Sequence, residues 1–317
     1  MNKKLSIIIP VYNVQNYLRD CINSILDKSI NTKMIEIILV DDGSIDNSGK
    51  ICDEYDQNTD YIRAIHIKNS GQSVARNIGL EHSTGEWITY VDSDDITRDG
   101  YVELLLNILR NVDSTDEIIM FNYEPFESSS KLKEINSKLE YNSHKLRNIS
   151  KAEAMYDLTT EKWGNYLWNK IFPRKILNKI PLPAGKIYED ISVLYKYFHV
   201  CNQIKIYEDI VYFYRQREGS AVHLKRAYDQ YISMIQAIEA RQKQLNFFKK
   251  YNYIKAFNNA KYGFMLNSVS LIKLTLQNKY EKTKTYYDAI NFLKKYDCSI
   301  KRDGLKHYLF IKIFKLI

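Results

Sequence analysis

The chain has 317 residues, 45% of them hydrophobic, with 11 Gly and 5 Pro, which suits a folded protein with a sizeable core and excludes wholesale disorder. Its net charge of +8 is uneven: residues 241–317 hold 17 Lys/Arg and 4 Asp/Glu, a net of +13, while the first 240 residues carry a net of −5. The scattered Cys21, Cys52, Cys201 and Cys298 form no CxxC pair, which excludes a zinc module or disulfide framework and fits a reducing cytoplasm, and no apolar run of about 18 residues is present to span a membrane.

Leu5 to Ile9 is a short, β-branched apolar run ended by Pro10, which predicts a buried strand. The apolar run in MNKKLSIIIPVYN is too short for a secretory leader. Tyr17, Leu18, Cys21, Ile22, Ile25 and Leu26 recur at helical spacing. A second strand is expected over Ile35 to Val40, followed by Asp41-Asp42-Gly43-Ser44 and a helix from Asn47 to Tyr55. Tyr61 to Ile67 reads as a third strand, Ser70 to Glu81 as a helix, and Trp87 to Val91 as a fourth strand. A helix from Asp99 to Leu109 and a strand over Glu117 to Asn122 follow. Continuous apolar strands alternating with helices predict an α/β fold with a mostly parallel sheet flanked by helices. Beyond a polar excursion over residues 127–150 the pattern weakens. A helix after Tyr188-Glu189-Asp190, strands over Ile204 to Tyr207 and Val211 to Tyr214, and a mainly helical, basic region from Tyr228 remain legible.

Four polar stations sit just past predicted strands: Pro10 to Asn13, Asp41 to Ser44, Asn69 to Asn77, and Asp92 to Asp95. If the strands are parallel, all four line the carboxyl edge, where open α/β sheets bind ligands. Asp92 and Asp94, one residue apart, can converge on a hard cation that also meets a diphosphate. Ordinary βα turns also favour Asp, Asn, Gly and Ser, and acids after a strand can simply cap the next helix.

The strings SIIIPVYN, ILVDDGSIDNS, NSGQSVARNIGL and WITYVDSDD, in this order, resemble family 2 glycosyltransferases with the GT-A fold. LWNKIFPRKIL, IYEDISVLYKYF and YRQREGSAVH are similar to that family's bacterial surface-polysaccharide branch and extend the resemblance to about His223. It implies a GT-A, Rossmann-like catalytic domain over residues 1–225 and a helical, basic region over 226–317 for acceptor or membrane contact. It further implies an inverting, metal-dependent hexosyltransferase using a nucleotide donor, usually a UDP-sugar. By position, Pro10 and Tyr12 would border the base, Asp42 would accept from its ring N–H, and Asp41 would brace the loop. Asn69, Arg76, Asp92 and Ser93 would complete the donor contacts. Asp94 would hold Mn²⁺ or Mg²⁺, with His223 a second ligand or a diphosphate contact and the choice among Asp92, Asp94 and Asp95 open. Asp190 would be the general base, although Asp also N-caps helices. Glu189 is expected to point elsewhere. Trp168 reads as a core or acceptor-wall aromatic, and Lys170, Arg215 and Arg217 as candidate phosphate contacts or plain solvated cations.

The rear segment interleaves Lys with aromatics and ends in the apolar stretch Tyr308 to Ile317. Such a tail can rest on an anionic membrane, its lysines snorkelling, or fold onto the body. Membrane contact fits a glycan acceptor carried on a lipid diphosphate and a place at the inner face of the cell membrane. A sugar nucleotidyltransferase is an alternative, but PVYNVQN lacks the Gly-rich basic phosphate loop. A basic nucleic-acid-binding protein is another; the acid clusters at the sheet edge argue against nucleic acid.

Overall fold

The computed structural model describes residues 4–26, 32–112, 116–127, 138–160, 163–216 and 226–316. β1 (Leu5–Val11) is buried along its whole length because both faces of its apolar run are covered. α1 (Leu18–Ile25) follows and buries Leu18, Cys21, Ile22 and Ile25, one face at helical spacing. β2 (Ile35–Asp41), α2 (Ser48–Asn58), β3 (Ile62–His66), α3 (Gln72–His82) and β4 (Trp87–Tyr90) complete the front half. β1 pairs in parallel with β2 and β4, and β2 with β3, so these strands point their carboxyl ends one way. α3 lies close on the sheet at Gly79, where a Cβ would come within 2.4 Å of the Ile8 side chain. Any larger residue there must push the helix off β1.

The chain continues through β5 (Ile96–Thr97), α4 (Tyr101–Arg110), β6 (Glu117–Phe126), β7 (Leu146–Ile149), α5 (Lys151–Asp157), β8 (Lys170–Pro173), α6 (Arg174–Lys179), α7 (Glu189–Val200) and β9 (Gln203–Arg215). The sheet order is β3-β2-β1-β4-β8-β6-β9-β5, with β7 on β9. The front four strands are the expected parallel ones. The rear is mixed: β8 runs antiparallel to β4 and β6, β9 parallel to β6, and β5 and β7 antiparallel to β9. The two strands expected around residues 204–214 are one. Glu208-Asp209 resembles a turn in sequence, yet the register shifts at Asn122 and its Nδ2 donates to the Glu208 carbonyl at 2.6 Å. That irregularity takes up the extra residues and lets the strand run on.

α8 (Ala227–Lys250), α9 (Ile254–Asn278), α10 (Lys284–Lys295) and α11 (Ile300–Leu316) form the basic rear. One apolar cluster runs from Tyr90 and Phe172 on the sheet through Leu194 and Tyr197 of α7 to Phe248, Phe264 and Leu293. The rear helices therefore share their core with the sheet. Gly304, at φ 74°, interrupts α11, and Ile311 beyond it is fully buried in the same cluster. Among the described residues no helix is long and apolar enough to cross a membrane.

Candidate active site

The parallel register places Val11, Asp41 and His66 side by side at the carboxyl edge. There the loops after β1 and β2 are laced together. Asn13, in the left-handed region at φ 52°, accepts from the Ile45 N–H at 2.9 Å, and the Val14 N–H donates to Ser48 Oγ at 2.9 Å. Asp41 accepts from the Ser44 N–H at 3.0 Å and holds His66 Nδ1 at 2.9 Å. His66 Nε2 meets Asp53 at 2.9 Å. Carboxylates only accept, so these two contacts favour the protonated ring; the bond to Asp41 is the main cause of its raised pKa. Asp41 thus braces the loop.

Asp42 is buried, and its two oxygens accept from the Ser70 N–H at 2.7 Å and the Gly71 N–H at 2.8 Å. It ties the loop after β3 to β2. Gly43 permits this closeness, since at φ 70° a Cβ would lie 2.8 Å from the Asn69 nitrogen. A carboxylate has lone pairs left over for a base N–H beside two such bonds. Tyr12 stands exposed at this rim and Asn69 is exposed beside it, whereas Pro10 is buried within β1 opposite Val40.

After β4 the acid turn is fastened to β9. Asp95 is fully buried; Tyr212 donates its hydroxyl to it at 2.7 Å and Arg215 its backbone N–H at 2.7 Å. The same Tyr212 oxygen accepts from the Asp92 N–H at 3.0 Å. Both Asp95 oxygens are engaged, which makes it a structural acid, while Asp92 and Asp94 are half-buried. Ser93 between them is buried. Arg215 was a candidate phosphate contact. It instead gives Nε to the Asp94 carbonyl at 2.6 Å and packs over the rings of Tyr17 and Phe126. His223 and Arg217 lie outside the described residues.

Arg76 is buried and spans two carboxylates from distant parts of the chain. One terminal nitrogen donates to Asp92 Oδ1 at 2.7 Å and the other to Glu189 Oε1 at 2.6 Å. Burial opposes its charge, but Asp92 and Glu189 outweigh burial and keep it protonated. Arg76 thus forms a bridge between the acid turn and α7.

Glu189 and Asp190 open α7, and only Glu189 turns to Arg76. Asp190 lines a cleft of about 730 Å³ together with Asp92, Gln72 and Arg76 on one side and Tyr166, Trp168 and Tyr214 on another. Burial, then the neighbouring Glu189 charge, pushes its pKa up to about 8. Trp168 stacks on Tyr166, Tyr212 and Tyr214 at centroid distances of 4.8, 4.6 and 5.4 Å, so the wall is rigid.

Lys170 corrects the sequence reading. It is fully buried, and Nζ donates to the Tyr166 carbonyl at 2.6 Å and Asn169 Oδ1 at 2.7 Å, with the Trp163 and Gly164 carbonyls at 3.4 Å. No phosphate can reach it. It holds the loop that carries Tyr166, and burial brings its pKa down to about 7. The sequence also missed the roof of the cleft, which comes from the basic rear: Arg241 of α8, and Asn259, Ala260, Gly263 and Asn267 of α9. The last four fall on one helical face, a signal that spacing alone carried.

Among the described residues no three His, Cys, Asp or Glu side chains form a ready metal cage. The acid turn nonetheless fits a divalent cation shared with a diphosphate. Asp92 bonds Gln72 and Arg76 through Oδ1; burial and the Asp94 charge raise its proton affinity while Arg76 lowers it, with burial the largest effect. Mg²⁺-type ions bind through one or two carboxylates plus substrate phosphates and waters, so Asp92 and Asp94 suffice in kind.

The family description "Glycosyl transferase family 2" matches residues 6–180. Glycosyltransferase GlyG of Streptococcus pneumoniae serotype 4 is 29% identical over 230 residues, 69% of this chain and 73% of the relative. Minor teichoic acid biosynthesis protein GgaB of Bacillus subtilis is 25% identical over 328 residues, 99% of this chain but 35% of the relative, so the chain spans about a third of that protein. The crystal structure of S. aureus TarS 1–349 in complex with UDP-GlcNAc superposes with a TM-score of 0.61 at 18% identity, over 99% of this chain and 88% of that one. At that identity the likeness is one of fold.

Proposed function

This chain belongs to glycosyl transferase family 2 and is a glycosyltransferase, and from that premise we propose the reaction it performs: inverting transfer of a sugar from a UDP-sugar to a hydroxyl of a bacterial surface glycan. The observation that carries the reading is Asp190, a carboxylate with a pKa of about 8 in the same cleft as Asp92. An ordinary carboxylate is too weak a base for a sugar hydroxyl at neutral pH, and this one has been made stronger by its surroundings. The UDP-GlcNAc complex of TarS supports a UDP donor, and the teichoic acid name of GgaB supports a surface-glycan acceptor.

The donor nucleotide lies along the carboxyl edge, its base near Tyr12 and Asp42 and its diphosphate toward Asp92 and Asp94. The anomeric carbon then faces Asp190 across the cleft. Asp190 takes the acceptor hydroxyl's proton as that oxygen bonds the anomeric carbon; the bond to the diphosphate breaks and its electron pair leaves with UDP. Attack opposite the leaving group inverts the centre. Trp168 and Tyr166 give the acceptor sugar an apolar face and exclude water. A Mn²⁺ or Mg²⁺ ion at Asp92 and Asp94 would offset the charge gathering on the diphosphate. The acceptor stands on a lipid diphosphate, which places the protein at the inner face of the cell membrane.

The test is nucleotide release from UDP-, GDP- and TDP-sugars with Mn²⁺, with and without EDTA. Turnover is expected with UDP-sugars and metal alone. Equal turnover in EDTA overturns the metal assignment, and preference for a GDP- or TDP-sugar overturns the donor.

A further inference from the structure

Among the described residues of the cleft, Arg241 is the cation that the transfer chemistry above leaves idle. It projects from α8 into the cleft, and its guanidinium rests on Gly263, where a Cβ would come within 3.1 Å of a terminal nitrogen. Its Nε is buried with no hydrogen-bond partner in the protein. Burial works against its charge, and although the Asp190 carboxylate lies within electrostatic reach, no hydrogen bond among the described residues joins the two; a desolvated guanidinium held this loosely gains from an anion that a ligand supplies. Asn259 lines the cleft with it and also lines a second, open groove of about 1790 Å³ between residues of α5, α8, α9 and α10. Asn259 Nδ2 fixes this saddle by donating to the Thr159 carbonyl at 2.8 Å. At that volume the groove holds more than one sugar. Lys249, Lys255, Lys261 and Lys295 line it with Tyr156 and Phe257, against only Glu153 and Asp297 as acids. Glu153 already faces Arg147 at 3.8 Å.

We propose that the cleft, Arg241 and this groove form one track for an acceptor strand carrying phosphodiester groups, with Arg241 binding the phosphate next to the reacting sugar. The proposal rests on the acceptor half of the reading above. Arg forks onto two phosphate oxygens, while spaced lysines act as point charges along a repeating anion. Aromatic side chains between them match the apolar faces of the intervening polyol or sugar units. A neutral glycan has nothing to offer four lysines and a dry guanidinium.

Binding of a synthetic poly(glycerol phosphate) oligomer to the full chain tests this by calorimetry at low salt, without nucleotide. Neutral dextran, a hyaluronan oligomer and phosphatidylglycerol vesicles are the comparison probes. The phosphate oligomer should bind best, and the affinity should fall steeply with salt. Arg241→Gln should weaken it roughly ten- to hundredfold, as loss of a charge-assisted bond does, and Arg241→Lys should recover part. A Lys249→Gln, Lys255→Gln, Lys295→Gln triple variant, all surface positions, should weaken it about tenfold or more while UDP affinity holds. Lys50→Gln, exposed on α2, controls for net charge and should change nothing. Unaltered oligomer binding in both Arg241→Gln and the triple variant overturns the track. Equal binding of dextran or hyaluronan overturns the phosphodiester assignment, and loss of vesicle binding alone reassigns the groove to a membrane. Failure of the wild type to bind UDP would instead strike the transfer reaction, so the two readings fail separately.

Discussion

Asp190→Asn keeps the shape of the side chain and removes the proton acceptor. With a pKa of about 8, only about a tenth of the free protein carries a base at pH 7, so kcat/KM should climb about tenfold between pH 7 and pH 9 and then level. The Asp190–Glu189 pair titrates together, so this limb belongs to both acids. Glu189→Gln removes the neighbouring charge and should move the limb to lower pH. In a coupled UDP-release assay at saturating donor, Asp190→Asn should cut turnover about 10²- to 10⁴-fold, or about 3–5 kcal/mol of barrier, with UDP affinity retained. The same shift has a stability side. A carboxylate whose folded pKa lies above its unfolded value loses stability for the fold as pH rises from about 4 toward 8. The Asn variant should therefore melt above wild type at pH 9 and not at pH 4. A variant that keeps more than about a tenth of its turnover, or a wild-type profile flat from pH 6 to 9, refutes the assignment of the base.

Arg76→Met strands the buried Glu189 and the half-buried Asp92 without their partner and should cost about 3–5 kcal/mol in urea unfolding; adding Glu189→Leu should restore part of it, and a single variant as stable as wild type would show that the bridge is not holding. Lys170→Met leaves the Tyr166 carbonyl and its neighbours without their donor, which predicts a loss of about 2–4 kcal/mol and a red-shifted emission from Trp163 and Trp168; unchanged emission would mean the loop keeps itself in place. His66 has a raised folded pKa, so its contribution is complete below about pH 6.5 and lost as pH rises past that folded value. His66→Gln should flatten the wild-type decline in denaturant midpoint between pH 6 and 9, by no more than about 1 kcal/mol because the ring is half exposed.

The front of the fold was legible because strands buried on both faces must be apolar throughout, and the polar residues that follow them stand out. Leu5–Val11, Ile35–Asp41 and Trp87–Tyr90 all have this form. Lys170–Pro173 did not stand out, being four residues long and opening with a lysine. Charge was the other obstacle. A lysine in sequence looks solvated, and it is the ring of Trp163, Gly164 and Tyr166 carbonyls with Asn169 Oδ1 around Nζ that lets Lys170 be buried. Arg241 was hidden in the opposite way, as one cation among many in a basic helix. Its role depends on Gly263, 22 positions away, leaving it room. The acids at positions 92, 94 and 95 look alike in sequence; Tyr212 and Arg215, about 120 residues on, decide which one is structural.

A single guanidinium touching both Asp92 and Glu189 means that the two halves of the cleft are not electrically independent. When a bound species neutralises Asp92, Arg76 turns its full charge toward Glu189, and the repulsion that Glu189 exerts on Asp190 weakens. A cation settling at Asp92 would thereby loosen the proton on Asp190, and a diphosphate arriving beside it would pull the other way. Charge placed at one end of the guanidinium bridge is therefore felt at the other.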